Sequence, residues 1–130
     1  MNTYDKVVSY LKSYQELKYN IEFYRNKMGG LKAISYSQEE KGASQDNMMS
    51  VYMQKIDDAD KTMRQIERFI EDNFVGSERF AIWCRYIDLL ENKEISSKMG
   101  YSNGYAHQFI KKAINRYLQK RIQQFEQLSK

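Results

Sequence analysis

Apolar side chains recur at alternating spacings of three and four residues in two long stretches of the chain. In the first stretch these positions are Val7, Tyr10, Tyr14, Leu17, Ile21, Tyr24 and Met28. In the second stretch they are Met49, Tyr52, Ile56, Ala59, Met63, Ile66 and Ile70. This spacing gives each stretch one apolar stripe along a helix. We therefore predict two long helices, over about residues 3–28 and 47–73.

The segment between the two predicted helices shows no sustained apolar period. It begins with Gly29-Gly30, and glycine is costly inside a helix and common just beyond its end. Several Ser, Gln and Asn residues follow. We therefore predict that the first helix ends at the glycine pair and that residues 29–46 form a flexible connection. Either Asp46 or Asn47 would then cap the second helix.

The two stripes have matching lengths, which indicates that the helices pack along each other. They could close as an antiparallel hairpin within one chain or pair between two chains. Because each stripe is narrow, we expect residues 1–75 to form a helical, coiled-coil-like oligomerisation region, with a homodimer favoured. The side chains expected at that contact are Tyr10, Tyr14, Leu17, Ile21, Tyr24, Tyr52, Ile56, Met63 and Ile66.

Gly76 and Ser77 mark the start of a second predicted domain, residues 76–130. Ser77 can cap a helix, and we expect one apolar face of that helix to be buried. The residues assigned to this face are Phe80, Trp83, Ile87 and Leu90, with Cys84 packed beside them. The chain contains no proline, and strand-like alternation is hard to find. The predicted fold class is therefore all-α.

The stretch "KEISSKMGYS" predicts a short helix over Lys93–Met99, a left-handed Gly100 and a capping Ser102. A second helix follows, in which Ala106, Ile110, Ala113 and Tyr117 face inward. Two helices joined by a short turn that contains glycine form a helix-turn-helix, which in many proteins binds duplex DNA. A helical hairpin with a purely structural role is the alternative interpretation.

The outward face of this second helix carries polar, aromatic and basic residues that suit DNA. Amide side chains can pair with base edges, and lysine and arginine with phosphates. The residues expected to contact bases are Asn103, Tyr105, His107 and Gln108. The residues expected to contact phosphates are Lys98, Ser102, Lys111, Lys112, Arg116 and Arg121.

The charge distribution supports a polyanionic partner. The whole chain carries a net charge of +4. Residues 1–76 have 11 Lys or Arg and 12 Asp or Glu. Residues 77–130 have 10 Lys or Arg and only 5 Asp or Glu. No acidic residue lies between Ile95 and Phe125. A stretch of one sign this long favours nucleic acid as partner, although a solvated basic face would have the same composition.

Other classes of function lack their usual residues. Cys84 and His107 are single residues of their types, and no metal-ligand, nucleophile or base constellation is recognisable, so we expect no cofactor, no metal and no enzyme activity. No segment has the roughly 18 consecutive apolar residues of a membrane span, and the N-terminus lacks the pattern of a signal peptide. A cytoplasmic protein with no membrane partner is therefore expected.

The residues from Arg79 to Gln119, "RFAIWCRYIDLLENKEISSKMGYSNGYAHQFIKKAINRYLQ", resemble sigma-factor region four. The segments "KEISSKMGYS" and "KKAINRYL" carry that resemblance. Over most of its length, the chain resembles the ArpU/RinA-like regulators of phages and prophages of Gram-positive bacteria. The resemblance implies a small helical protein that activates late phage genes, in the cytoplasm of a bacterial host, with no enzyme activity.

We therefore expect a sequence-specific regulator that binds double-stranded DNA, most simply a transcriptional activator. One alternative is a small terminase-like DNA-packaging protein, which would form a ring of many copies. Another is a protein-binding adaptor that acts on host RNA polymerase or another host protein. The tail after Asn115 has its own apolar stripe, and it could pack on the N-terminal helices, join the dimer contact or contact RNA polymerase.

Overall fold

The computed structural model describes residues 2–35 and 42–128, with side chains for residues 2–30 and 47–123. The described chain is all-α, as predicted, with helices α1 (Thr3–Ser35), α2 (Gly42–Asn73), α3 (Gly76–Tyr86), α4 (Asn92–Lys98) and α5 (Tyr105–Leu128). No strand occurs among these residues. Likewise, none of the described helices is both long and apolar enough to span a membrane.

Helix α1 continues through Gly29-Gly30, so the predicted end at the glycine pair is wrong. Neither glycine has the positive φ that ends a helix in a left-handed turn. Two glycines inside a helix cost about 1 kcal/mol each relative to alanine, which weakens a long helix without breaking it. Helix α2 also begins earlier than predicted, at Gly42. Residues 36–41 of the predicted connection lie outside the described residues.

The chain divides into two compact units. One, here called the hairpin unit, is Glu16–Gln65, and the other, the composite unit, joins Met1–Gln15 to Ile66–Lys130. The predicted boundary at residues 75 and 76 therefore falls inside the composite unit. The reason is that the first turns of α1 and the last turns of α2 pack with the C-terminal helices around buried side chains, among them Leu11, Ile66 and Phe74.

In the hairpin unit, α1 and α2 pack against each other with opposite directions. Tyr24 stacks on Tyr52 with ring centroids 5.6 Å apart. Leu17, which is earlier in α1, lies beside Thr62, which is later in α2. The two stripes therefore close as an antiparallel hairpin within one chain, which was one of the two arrangements that the sequence left open.

This closure corrects part of the predicted oligomer contact. Tyr14, Ile21, Met63 and Ile66 are buried by their own chain, with at most 8% of each exposed, so they are not open to a second copy. The other residues of that prediction remain partly or largely exposed, namely Tyr10, Leu17, Tyr24, Tyr52 and Ile56. The regular spacing of apolar residues predicted the stripe on each helix, but it did not show whether that stripe is covered by the same chain or by a second copy.

An aromatic cluster connects three helices of the composite unit. The ring of Phe69 contacts Tyr10 of α1, Tyr117 of α5 and Phe74, with centroids 5.4, 5.2 and 6.0 Å apart. Phe74 also lies 5.7 Å from Tyr117 and is only 1% exposed. Arg79 of α3 donates from Nε to the Phe74 carbonyl at 2.9 Å, which pairs a carbonyl at the end of α2. These contacts hold α5 against the ends of α1 and α2.

Helix α3 buries a different face from the predicted one. Its buried side chains include Ala81, Ile82 and Cys84, whereas Phe80 is 44% exposed. The helix ends at Tyr86, so the predicted members Ile87 and Leu90 lie beyond it. Ile87 is nevertheless buried, as predicted, whereas Leu90 is half-buried. Leu89 takes a positive φ of 61° in the turn that follows, which redirects the chain toward α4.

Cys84 packs in the core, as predicted, and is a free thiol. Burial raises its pKa, and the nearby carboxylate of Asp88 raises it further. A raised pKa keeps the thiol protonated at neutral pH, and the thiolate is the reactive form. Cys84 is therefore an unreactive core residue in the folded chain.

Candidate nucleic-acid interface

The turn between α4 and α5 is a Schellman motif. Gly100 has a φ of 79°, a left-handed conformation that glycine adopts without strain. The Tyr101 N–H donates to the Ser96 carbonyl at 2.9 Å, and the Gly100 N–H donates to the Ser97 carbonyl at 3.1 Å. These two hydrogen bonds pair carbonyls that the end of α4 would leave free. The predicted role of Gly100 is confirmed, and α4 and α5 form a helix-turn-helix arrangement.

Ser96 fixes the start of α5 from inside the turn. It is fully buried, and its Oγ accepts a hydrogen bond from the Ala106 N–H at 2.9 Å. The same hydroxyl donates to the Asn103 carbonyl at 3.3 Å. Ser96 thus supplies the N-terminal cap from α4. Ser102 was the predicted cap, but among the described residues only its backbone carbonyl accepts a hydrogen bond here, from the Tyr105 N–H at 3.0 Å.

Replacing Ser96 with alanine is expected to lower the free energy of unfolding by about 1–3 kcal/mol, because it leaves a buried N–H and a carbonyl without their partner. Ser97→Ala is the matched control, since Ser97 is exposed one position away on the same helix. Its effect should stay within about 0.5 kcal/mol. Urea unfolding followed by circular dichroism measures both. Equal stability of the two variants would show that the Ser96 hydroxyl does not hold the turn.

The inner face of α5 packs against α3 and α4. Ala106, Ile110, Ala113 and Ile114 are each at most 5% exposed. Three of these positions were predicted to face inward, and Tyr117, the fourth predicted position, is half-buried. The small side chains of Ala106 and Ala113 let α5 cross closely over its neighbours.

Opposite this buried face, α5 presents a polar stripe, here called the recognition face. Its members are the exposed residues Gln108, Lys111, Lys112 and Asn115. The two adjacent lysines each lie three or four residues from Gln108 and from Asn115, so all four share one side of the helix. Gln108 and the two lysines were predicted at the interface. Asn115 was not among the predicted contacts, and the structure places it on the same stripe, one turn after Lys111.

Two predicted base-contacting residues lie beside the recognition face rather than on it. The ring of Tyr105 is stacked between Tyr101 at 4.0 Å and Phe109 at 5.5 Å, so both of its faces are covered. His107 is exposed, but it borders a small cavity shared with Tyr4 of α1. Asn103, the other predicted residue, is exposed in the turn that precedes α5.

The six predicted phosphate-contacting residues fall into three pairs. Arg116 forms an ion pair with Glu78 of α3, and Arg121 donates from Nη1 to the Tyr117 hydroxyl at 2.7 Å. By contrast, neither Lys111 nor Lys112 forms an ion pair with any residue that the structure describes. The remaining two, Lys98 and Ser102, are exposed near the turn. The unpaired lysines can therefore bind an anion without first breaking an internal contact.

The electrostatics of the recognition face are set by the absence of carboxylates from this part of α5. No acidic residue lies between Tyr105 and Gln123. In the described part of the chain, no group of three His, Cys, Asp or Glu side chains could hold a metal ion. The recognition face thus offers amide and ammonium groups to an anionic partner.

No protein-family model, curated protein or solved structure gives a significant match to this chain.

Proposed function

We propose that the protein binds double-stranded DNA through the recognition face of α5. The observation that supports this most is the placement of two amides and two unpaired lysines on one exposed stripe of a helix whose opposite face is buried. An α-helix fits the major groove, where each base pair presents a distinct pattern of donors and acceptors. The Schellman turn and the Ser96 cap fix the direction in which α5 projects.

The recognition face separates the contacts that select sequence from those that fix position. Gln108 and Asn115 can each pair with the N6 and N7 atoms of an adenine. Lys111 and Lys112 can neutralise phosphates on the two sides of the groove, which gives affinity without sequence information. Asn103, in the turn, can contact the backbone next to the first base contact.

We further propose that the biological role is transcriptional regulation in the cytoplasm of a bacterial host, most simply activation of phage or prophage late genes. The support is the resemblance of "KEISSKMGYS" and "KKAINRYL" to sigma-factor region four and of the whole chain to ArpU/RinA-like regulators. Sequence-selective DNA binding is the activity that such a role requires. Activation of transcription would also require a contact with RNA polymerase, which we propose as a second partner.

Two copies would pair through the hairpin unit. Two members of its predicted contact stripe, Ile21 and Met63, are buried. Four other apolar side chains of this unit are more than half exposed, namely Tyr19, Phe23, Val51 and Met53. A cleft of about 730 Å³ beside Met53 has Arg25 on its α1 side and Asp57 and Asp60 on its α2 side. In a two-fold pair, the basic side of each copy would face the acidic side of the other. Such a dimer presents two recognition helices to two half-sites.

The mass in solution separates this dimer from the ring of many copies that a packaging protein would form. Light scattering should give twice the chain mass of 15.6 kDa. A mass many times larger would instead favour the terminase-like alternative.

Selection from a library of randomised DNA duplexes tests sequence-specific binding. We expect independent selections to recover one sequence motif that contains adenines. When Gln108 or Asn115 is replaced by alanine, the adenine that it contacts should be replaceable by other bases. Each such replacement should cost about 1–3 kcal/mol on the selected duplex and little on random DNA. Recovery of no common motif, with equal binding to all duplexes, would contradict sequence-specific binding.

A further inference from the structure

Three aromatic rings form a continuous stack at the start of α5. The Tyr101 ring lies 4.0 Å from the Tyr105 ring, with 22° between the two planes. The Tyr105 ring in turn lies 5.5 Å from the Phe109 ring, with 20° between their planes. Tyr105 and Phe109 are four residues apart on α5, so their side chains are neighbours on one side of the helix. Tyr101 precedes the helix, and the stack fixes the orientation of its ring.

Tyr101 is the most accessible ring of the stack. It is 53% exposed, although Tyr105 covers one face of its ring. Tyr105 and Phe109 are only half-buried or less accessible still on their stacked faces. A rigid aromatic face that is open to water is suited to contact an apolar group of a partner.

The Schellman turn explains why the Tyr101 ring lies on α5. In this motif, the residue after the left-handed glycine often packs back on the helix that the turn ends. The corresponding position of α4 is Ser96, which is small and fully buried, and its hydroxyl caps α5. Tyr101 donates its N–H to the Ser96 carbonyl at 2.9 Å, but its ring extends forward onto Tyr105. Both the backbone and the ring of Tyr101 are thus held in place without DNA.

The aromatic stack runs beside the recognition face. Tyr105 is three residues before Gln108, and Phe109 is three residues before Lys112. Residues at this spacing are neighbours on a helix surface. Tyr101 lies at the N-terminal end of α5, and the N-terminal residues of a recognition helix are those that contact base edges. The open ring therefore lies at the end of α5 that would meet the bases.

The chemistry of the ring face selects an apolar group rather than an ion. The face of an aromatic ring carries partial negative charge, so it disfavours a phosphate oxygen. A cationic group would be repelled by the basic surface of α5, where no acidic residue lies between Tyr105 and Gln123. In the major groove, the apolar group that the bases present is the C5 methyl of thymine. Thymine is also the partner of the adenine that Gln108 is proposed to read.

We propose that Tyr101 reads the C5 methyl group of a thymine in the major groove. The methyl group packs on the open face of the ring, and Tyr105 and Phe109 support the ring from behind. Tyr101 thus selects sequence through an apolar contact, in addition to the hydrogen bonds of Gln108. This inference rests on the proposed binding of duplex DNA by α5. It deepens that proposal, because the sequence assigned a base contact to Tyr105 and none to Tyr101.

Replacing each thymine of the selected duplex by deoxyuridine tests this contact, because uracil lacks only the C5 methyl group. We expect one replacement in each half-site to weaken binding about three- to fivefold, the effect of burying one methyl group less. In Tyr101→Ala, the same replacement should have almost no further effect, since the ring that contacts the methyl group is gone. Tyr101→Gln serves the same purpose if the alanine variant does not fold. Fluorescence anisotropy measures every combination of protein and duplex.

Two control variants show whether the ring itself is responsible. Tyr101→Phe keeps the ring and loses only the hydroxyl, so it should retain the native preference for thymine over uracil. Tyr19→Ala removes a tyrosine that is 56% exposed on α1, and it should retain that preference too. Circular dichroism checks that each variant keeps the native helix content.

Two results would overturn this inference and leave the proposed function intact. One is that no uracil replacement weakens binding by the native protein. The other is that the uracil effect persists at full size in Tyr101→Ala, and weaker binding of that variant to every duplex would then assign the ring to the sugar–phosphate backbone. Failure of the native protein to bind any duplex would instead contradict the proposed function, and this inference with it.

Discussion

Reversing the charges of Lys111 and Lys112 together, as Lys111→Glu with Lys112→Glu, is expected to weaken binding to duplex DNA at least about 100-fold. Both side chains are exposed on the recognition face, and neither has an ion-pair partner among the described residues. Each phosphate that a lysine neutralises contributes about 0.9 to the slope of log affinity against log salt concentration. The variant should therefore lose about two units of that slope. Fluorescence anisotropy at several salt concentrations measures both quantities.

The matched control for this experiment is Lys6→Glu with Lys18→Glu. It changes the net charge by the same amount, at two exposed positions of α1 that are remote in sequence from the recognition face. We expect this control to keep most of the affinity, since only the long-range field changes. Equal loss of affinity in both double variants would mean that DNA binding depends on net charge and not on α5.

Phe74→Ala is expected to lower the free energy of unfolding by about 3–5 kcal/mol, the range for deleting a buried aromatic ring. Phe74 is 1% exposed and contacts the rings of Phe69 and Tyr117. Its loss opens a cavity where α2 meets α5. Since small domains are stable by only about 5–15 kcal/mol, this is a large share of the total. Guanidinium unfolding followed by circular dichroism measures the change.

Phe80→Ala is the control for the ring deletion. Phe80 is 44% exposed on α3, so its removal should cost under about 1 kcal/mol. A native-like unfolding midpoint for Phe74→Ala would contradict the structural role assigned to the aromatic cluster. A loss of equal size in Phe80→Ala would show that the exposed face of α3 is covered in solution.

The sequence was sufficient to predict those features of the fold that depend on local periodicity and turn chemistry. The spacing of apolar residues located both long helices, and the absence of proline and of alternation gave the all-α class. Gly100 was identifiable because a left-handed turn needs glycine between two helical segments. The inner face of α5 followed from the regular spacing of Ala106, Ile110 and Ala113.

Features that depend on long-range packing were not predictable in this way. Gly29-Gly30 has the local signature of a helix end, yet α1 continues because helix propensity is a weak preference that other interactions override. Apolar residues occur on all sides of α3, so spacing did not single out one face. The large side chains Phe80 and Trp83 favoured the wrong face, whereas the buried face includes the smaller Ala81 and Cys84. Spacing alone also does not show whether a stripe packs within a chain or between chains.

The candidate site was predicted in outline but not in detail. Residue type and spacing identified Gln108, Lys111 and Lys112, because these depend only on the outward face of one helix. The role of Ser96 was missed, since nothing local distinguishes it from the exposed Ser97 next to it. The ion pair between Arg116 and Glu78 joins residues 38 positions apart, so no local pattern could reveal it.

The most direct test of the central proposal is to map the surface of the isotopically labelled protein that contacts a selected DNA duplex by NMR. We predict the largest amide shifts at Gln108, Lys111, Lys112 and Asn115, with smaller shifts at Asn103 and little change along the exposed residues of the hairpin unit. No shift on α5, or shifts confined to the hairpin unit, would contradict DNA binding by the recognition face.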